Sequence, residues 1–389
     1  MSHDLGGEEL AGLITKVFRL RPDDRALAVL ADLPDALAPD SDAWRARREM
    51  AHRWVGLLRE RRTALGLEVG LCLYRNVRSN NADLPEKAWL WEAESLPRSA
   101  DDPDPAQALP ITEIFRRFRL LIALTEFSAT APLKLQAKSF GFRAATMPGF
   151  SPAMIPALRL DYEEINRRVD LLKSLLDRAE LAELLFRVEG GTDYLLVLDL
   201  RGQTAHASGG LLHEPGTAGN LPSGEAYIVP REGGGAQPSL SAGLLPVQFG
   251  DEVVVYEIEE NRARNVLGSG MAARAEAALI AKEPAYGNIA ELGFGVLAAF
   301  GVLPCGSMLL DEKLGLHIAF GRSDHFGGRI GPRDFSSPEA VVHIDRIYLP
   351  SVQPQVHVLR VDLRGPQGET IPLMRRGEFV VEFTRRSAD

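Results

Sequence analysis

The feature that most restricts the fold is a change of hydrophobic period along the chain. RALAVLADL (25–33) is a short apolar run of the kind a fully buried strand needs. DAWRARREMAHRWVGLLRERRTA (42–64) then spaces its apolar side chains like one face of a helix, and LEVGLCLYR (67–75) returns to a strand. Strand, helix, strand is the signature of a parallel pair joined by a crossover helix. A further round follows: helix ITEIFRRF, strand LLIALTEF (120–127), helix SATAPLKLQAKSFG with Ser128 or Thr130 as N-cap, and strand RAATMPG. Residues 93–110, acidic and Pro-rich, read as an exposed loop.

The helix DYEEINRRVDLLKSLLDRAEL (161–181), capped by Asp161, leads out of this pattern. Beyond it strands dominate. ELLFRVEGGTDYLLVLDLRG predicts a hairpin turning at Gly190 and Gly191, followed by strands EAYIVP, EVVVYEIEE, LHIAFG, VVHIDRIYLP, VHVLRVDLRG and EFVVEF, with REGGG (231–235) as a loop tip. The expected class is α/β: an N-terminal α/β domain, residues 1–183, with a mainly parallel sheet, and a C-terminal α+β, strand-rich domain, residues 184–389. No internal repeat is evident.

Composition enters by exclusion. The 389 residues are 45% hydrophobic and 25% charged, ordinary for a globular chain. A formal net charge of −9 leaves no broad positive field for a polyanion, so nucleic acid is not an expected partner. Cys72 and Cys305 are the only cysteines, too few for a disulfide framework, and they suit a reducing compartment. The N-terminus lacks a basic segment followed by an apolar core, so the expected location is the cytoplasm. Leu292–Leu310 runs without a charge, but Gly293, Gly295, Gly301, Gly306 and Pro304 interrupt it; a buried helix plus loop is expected there, with no membrane partner.

Several motifs fail on their physics. LLHEPG (211–216) has no second histidine at zincin spacing, and Pro215 and Gly216 forbid the helix; His213 reads as a loop histidine. GFGVLAAFG has the wrong glycine spacing for a dinucleotide loop, and no G-x-S-x-G occurs. The Arg-rich helix 45–62 reads as a solvated or dimer-facing surface, and Lys313 as a surface lysine or a clamp for a substrate carboxylate.

The chemistry concentrates late in the chain. His343 and Asp345 are two apart in a strand, so they project from one face and can flank a metal ion. His317 sits mid-strand in LGLHIAFG, where an imidazole must be hydrogen-bonded or metal-bound. Glu225 and Glu291 lie in apolar, Gly-flanked settings, where a carboxylate needs a cap, a salt bridge or a cation.

Together the segments GTDYLLVLDLRGQTAHASGG, GNLPSGEAYIVPREG, YGNIAELGFG, LLDEKLGLHIAFGRSDHFGG and HIDRIYLP resemble, in order, the motifs of the M29 family of metallo-aminopeptidases, the aminopeptidase T and S group. The resemblance spans most of residues 115–350. It implies a homodimer whose C-terminal domain carries two divalent ions (Zn, Co or Mn) held by Glu225, Glu291, His317, His343 and Asp345. Such an ion pair generates a hydroxide at neutral pH and polarises a scissile carbonyl. The substrate implied is a peptide or peptide-like small molecule cleaved at its N-terminal amide, with Glu291 also catalytic. Family peptidases carry a Tyr in the loop after the first histidine, and this chain has none between His317 and His343; Asp324 and His325 occupy that loop, with His325 as proton shuttle, oxyanion donor or sixth metal ligand. The 2,5-dihydroxypyridine dioxygenases resemble the same family. They provide an alternative in which His317, His343 and Asp345 hold one Fe(II) for oxidative ring opening. A non-catalytic relative is the third reading, and the complete ligand set weighs against it.

Overall fold

A computed structural model describes residues 4–234, 237–337 and 340–383, so Gly235 of the expected loop tip lies outside the described residues. The chain forms two compact units: Met1–Asn166 with Ser208–Ser223, and Arg167–Ala207 with Gly224–Asp389. This partition differs from a single cut at 183/184 in two ways. The division falls inside the helix Tyr162–Arg178, and a short later segment returns to the first unit.

The first unit is built on a seven-stranded sheet in the order Thr217–Asn220, Arg143–Thr146, Leu120–Ala123, Ala26–Leu33, Glu68–Arg75, Lys87–Trp91 and Leu109–Pro110. The first five strands run parallel and Lys87–Trp91 pairs antiparallel with both its neighbours, as expected for a mainly parallel sheet. Every residue of Ala26–Leu33 is buried, which explains its unbroken apolar run. Phe115, Phe118 and Phe142 pack with Leu30, Leu121 and Leu133 in the core, each such side chain contributing roughly 1.5–3 kcal/mol on burial. The edge strand Thr217–Asn220 and the next-to-edge strand Lys87–Trp91 were not evident in the sequence because neither is a long apolar run.

Two local expectations change here. Helix Thr130–Phe140 is preceded by Ala129, with no side-chain cap; the Ser128 hydroxyl instead lies among Asn81 and Thr130. The Arg-rich helix Asp42–Glu60, capped by Ser41, is not a purely solvated face. Arg47 is buried and donates to Phe150 O at 2.9 Å, and Arg48 grips both oxygens of Asp40 at 2.9 and 2.8 Å. A guanidinium turned inward onto a carboxylate or a carbonyl looks, in sequence, like any surface arginine.

The second unit holds two sheets. The larger has eight strands, all antiparallel, in the order Arg262–Leu267, Glu252–Glu259, Ala242–Phe249, Asp193–Asp199, Leu181–Val188, Val356–Arg364, Thr370–Arg375 and Glu378–Phe379. The expected hairpin turns at Gly190 and Gly191, with φ of 97° and 96°, a left-handed backbone that glycine adopts without strain. The smaller sheet orders His343–Ile347, Leu316–Gly321, Ile289–Gly295, Glu225–Ile228 and His206–Ser208. The helix Met271–Lys282 was not anticipated. Among the described residues no helix is long and apolar enough to cross a membrane.

Candidate metal centre

The smaller sheet explains why residues far apart in sequence meet. Across its antiparallel strands Glu291 stands opposite Ala319, and Ala319 opposite Asp345; Gly293 stands opposite His317; Glu225 stands opposite Gly295; and Gly321 stands opposite His343. Directly paired residues share a face, so all five predicted ligands project from the same side. The expected buried helix over 292–310 is therefore wrong at its start. Ile289–Gly295 is a fully buried strand, followed by a 3-10 turn, Leu297–Phe300, and a short helix, Met308–Asp311. The alternation Glu291, Gly293, Gly295 is a period-two signal, and the lack of charge obscured it.

Those glycines make room. A Cβ on Gly293 would stand 1.9 Å from His317 Nε2, and one on Gly295 would stand 2.0 Å from the backbone carbon of Lys313. The imidazole and the turn behind it occupy the space that side chains would fill.

The five residues fall into two groups sharing one member: Glu225, Glu291 and His317, and Glu291, His343 and Asp345. His317 Nε2 lies 3.2 Å from Glu291 Oε1 and 3.5 Å from Glu225 Oε2. His343 Nε2 lies 3.5 Å from Glu291 Oε2 and 3.8 Å from Asp345 Oδ1. Each Glu291 oxygen thus faces a different histidine. The opposite ring nitrogens are committed to backbone, His317 Nδ1 at 3.2 Å from Gly315 O and His343 Nδ1 at 2.8 Å from Arg322 O. Donation from Nδ1 fixes the tautomer and turns each Nε2 lone pair toward the carboxylates.

Lone pairs facing carboxylate oxygens call for a cation between them. Glu225, Glu291, Asp345 and Glu312 are all largely buried there, against the single ammonium of Lys313. Without an ion the centre borrows a proton. Burial opposes charge on His317, yet its bond to Glu291 and the fields of Glu225, Glu291 and Asp345 push its pKa up to about 10. Burial likewise raises Glu291, with Asp345 adding to it and His317 opposing. Glu225 Oε2 is buried with no hydrogen-bond partner. An orphaned carboxylate oxygen beside imidazole nitrogens and further carboxylates fits a divalent ion of the Zn, Mn, Co or Fe kind.

Lys313 is not a surface residue. Its side chain is 1% exposed, with Nζ 2.5 Å from Glu225 Oε1 and in contact with Glu312. Burial disfavours its charge, but Glu225 and Glu312 more than restore it, so it stays an ammonium. It holds one Glu225 oxygen and leaves the other toward His317. Glu312, pushed up to about 8 by burial against the pull of Lys313, was not anticipated at the centre.

Asp324 and His325 lie on the 3-10 turn after the His317 strand, with His325 Nδ1 3.5 Å from Asp324 Oδ1 and the His325 ring centroid 5.4 Å from that of His343. Arg322 donates to Asp324 at 2.6 Å. Burial, then His343 and Arg322, push the His325 pKa down, so its imidazole is neutral. The loop is anchored by buried Glu232, which accepts from Asn288 Nδ2 at 3.0 Å, from Arg329 N at 2.6 Å and from the Ser323 hydroxyl. An aromatic wall completes the site: His206 stacks on Tyr227 at 5.2 Å, Tyr227 meets the edge of Phe326 at 4.9 Å, and Phe326 meets His343 at 5.4 Å. Tyr227 was legible in principle, two residues from Glu225 on one strand. His213 belongs to the first unit, where its Nε2 meets Lys16 O at 3.1 Å.

The fold, two units with a parallel and two antiparallel sheets, is shared with solved structures over nearly the whole chain. A 2,5-dihydroxypyridine dioxygenase from Pseudomonas putida KT2440 aligns over 98% of this chain and 100% of its own, at 16% identity and a TM-score of 0.61. Wild-type AmpT from Thermus thermophilus aligns over 96% of this chain and 99% of its own, at 19% identity and a TM-score of 0.54. No family model and no curated protein matches the sequence. At these identities the likeness carries the fold alone.

Proposed function

We propose that this chain is a metal-dependent hydrolase of the aminopeptidase type, cleaving the N-terminal amide of a peptide or peptide-like small molecule. The observation that carries this reading is Glu291, a member of both ligand groups with one oxygen toward each histidine. Glu291 would then serve two ion positions in common. Glu225 and His317 would complete one position, His343 and Asp345 the other. When bound, such ions lower the pKa of water and polarise a carbonyl. The protein's own groups supply the rest. Neutral His325, beside Asp324 and close to His343, offers a hydrogen bond to the attacking water or the carbonyl oxygen. Lys313 fixes Glu225, and Glu232 holds the loop that carries His325. The fold shared with AmpT, an M29 aminopeptidase, agrees with this reading. A homodimer in the cytoplasm belongs to the same proposal.

A second reading is favoured by the fold shared with the dioxygenase and by the aromatic wall beside His343: one Fe(II) held by His317, His343 and Asp345, acting on a planar aromatic ring. It leaves Glu225 and Glu291 as surplus negative charge around that iron. The two readings separate in one assay. Protein loaded with Zn, Mn or Co should release the chromophore from aminoacyl p-nitroanilides without consuming oxygen. Fe-loaded protein that consumes oxygen only with a dihydroxypyridine, and cleaves no anilide, would replace the hydrolase by the dioxygenase.

A further inference from the structure

The hydroxyl of Tyr227 stands out in the second unit. Tyr227 pairs with Gly293, which pairs with His317, so the three form one row across the sheet on the ligand-bearing face. The middle position has no side chain, and the His317 ring leans over it. Tyr227 is 7% exposed and its ring is clamped between His206 and Phe326. Its hydroxyl hydrogen-bonds to none of the described residues and is not sealed from solvent, so its proton is available to a ligand entering the site.

We propose that Tyr227 is a catalytic hydrogen-bond donor whose partner is the carbonyl oxygen of the bound substrate; this rests on the hydrolase reading above. In the step concerned, a water oxygen adds to the amide carbon and gives up a proton to a base of the site. The carbonyl π pair moves onto its oxygen, and the Tyr227 O–H donates a hydrogen bond to that oxyanion without losing its proton. The carbon–nitrogen bond then breaks, and the amine takes up the proton the water released. A rigid donor held toward developing charge contributes mostly in the transition state.

The test is Tyr227→Phe, which keeps the ring and its stacking and removes only the hydroxyl. Wild type and variant, loaded with Zn, are compared for metal content, for steady-state hydrolysis of phenylalanine p-nitroanilide, and for binding of two probes by calorimetry. One probe is the 1-aminophosphonic acid analogue of phenylalanine, whose tetrahedral oxygens mimic the oxyanion; the other is phenethylamine, which has none. The expected result is unchanged metal content and phenethylamine affinity, a kcat lower by about 10²–10³ with KM little altered, and phosphonate binding at least about tenfold weaker. Equal kcat and equal phosphonate affinity in an active wild type would overturn the role of Tyr227 and leave the hydrolase reading standing. A metal-loaded wild type that neither cleaves the anilide nor binds the phosphonate would overturn both.

Discussion

Lys313 shows how far one side chain's role depends on neighbours brought from elsewhere in the chain. In LLDEKLG it looks like any lysine; in the fold it is a buried cation that neutralises part of the charge of Glu225 and Glu312. Breaking such an arrangement from one side leaves carboxylates uncompensated. Lys313→Met should therefore lower the denaturant midpoint of metal-free protein by an amount equivalent to about 3–5 kcal/mol, the range for an unpaired buried charge. A midpoint within about 0.5 kcal/mol of wild type, as surface substitutions give, would contradict the burial of this ammonium. The histidines and Asp345 were readable because strand period two makes H-x-D a geometric statement. The lysine was not, because its burial depends on Glu225, 88 residues away in sequence.

At the scale of the element, two features have measurable consequences. The strand Ile289–Gly295 is shaped by its glycines, and Gly293→Ala should displace the His317 ring. Far-UV circular dichroism should stay as in wild type while Zn affinity falls at least about tenfold, the usual effect of disturbing a ligand's orientation. Wild-type affinity in that variant would show that the ring does not need the open space. The other feature is the turn after Ala26–Leu33. Burial tends to raise the pKa of Asp35, but Arg78 at 2.8 Å and the amides of Ala38 and Leu37 hold it well below the usual aspartate range. A depressed folded-state pKa stabilises above the unfolded value of about 3.9 and loses that contribution as the pH falls toward the folded value. The melting temperature of wild type should accordingly drop more steeply below about pH 4 than that of Asp35→Asn. Parallel acid limbs would exclude this turn as a source of acid sensitivity. Neither effect was visible beforehand. The alternation in ELGFG was hidden in an uncharged run, and Arg78, the cationic partner of Asp35, comes from a separate loop.

For the whole molecule, the switch from helix-and-strand texture to strand texture gave the two kinds of sheet correctly, because periodicity reflects which faces are buried. It did not reveal that Ser208–Ser223 rejoins the first unit and adds the strand Thr217–Asn220 to its sheet edge. A four-residue pairing at an edge has too little pattern to announce itself. The five candidate ligands were legible through motif order, and the sheet register supplies the reason they converge. What sequence could not supply was the sharing of Glu291 between two groups, on which the two-ion account depends. Metal stoichiometry after loading with Zn and desalting tests this most directly. The account predicts two equivalents per chain in wild type, one in Asp345→Ala, which spares the Glu225, Glu291 and His317 group, and none retained in Glu291→Ala. A single equivalent in wild type, or two retained by Glu291→Ala, would contradict it.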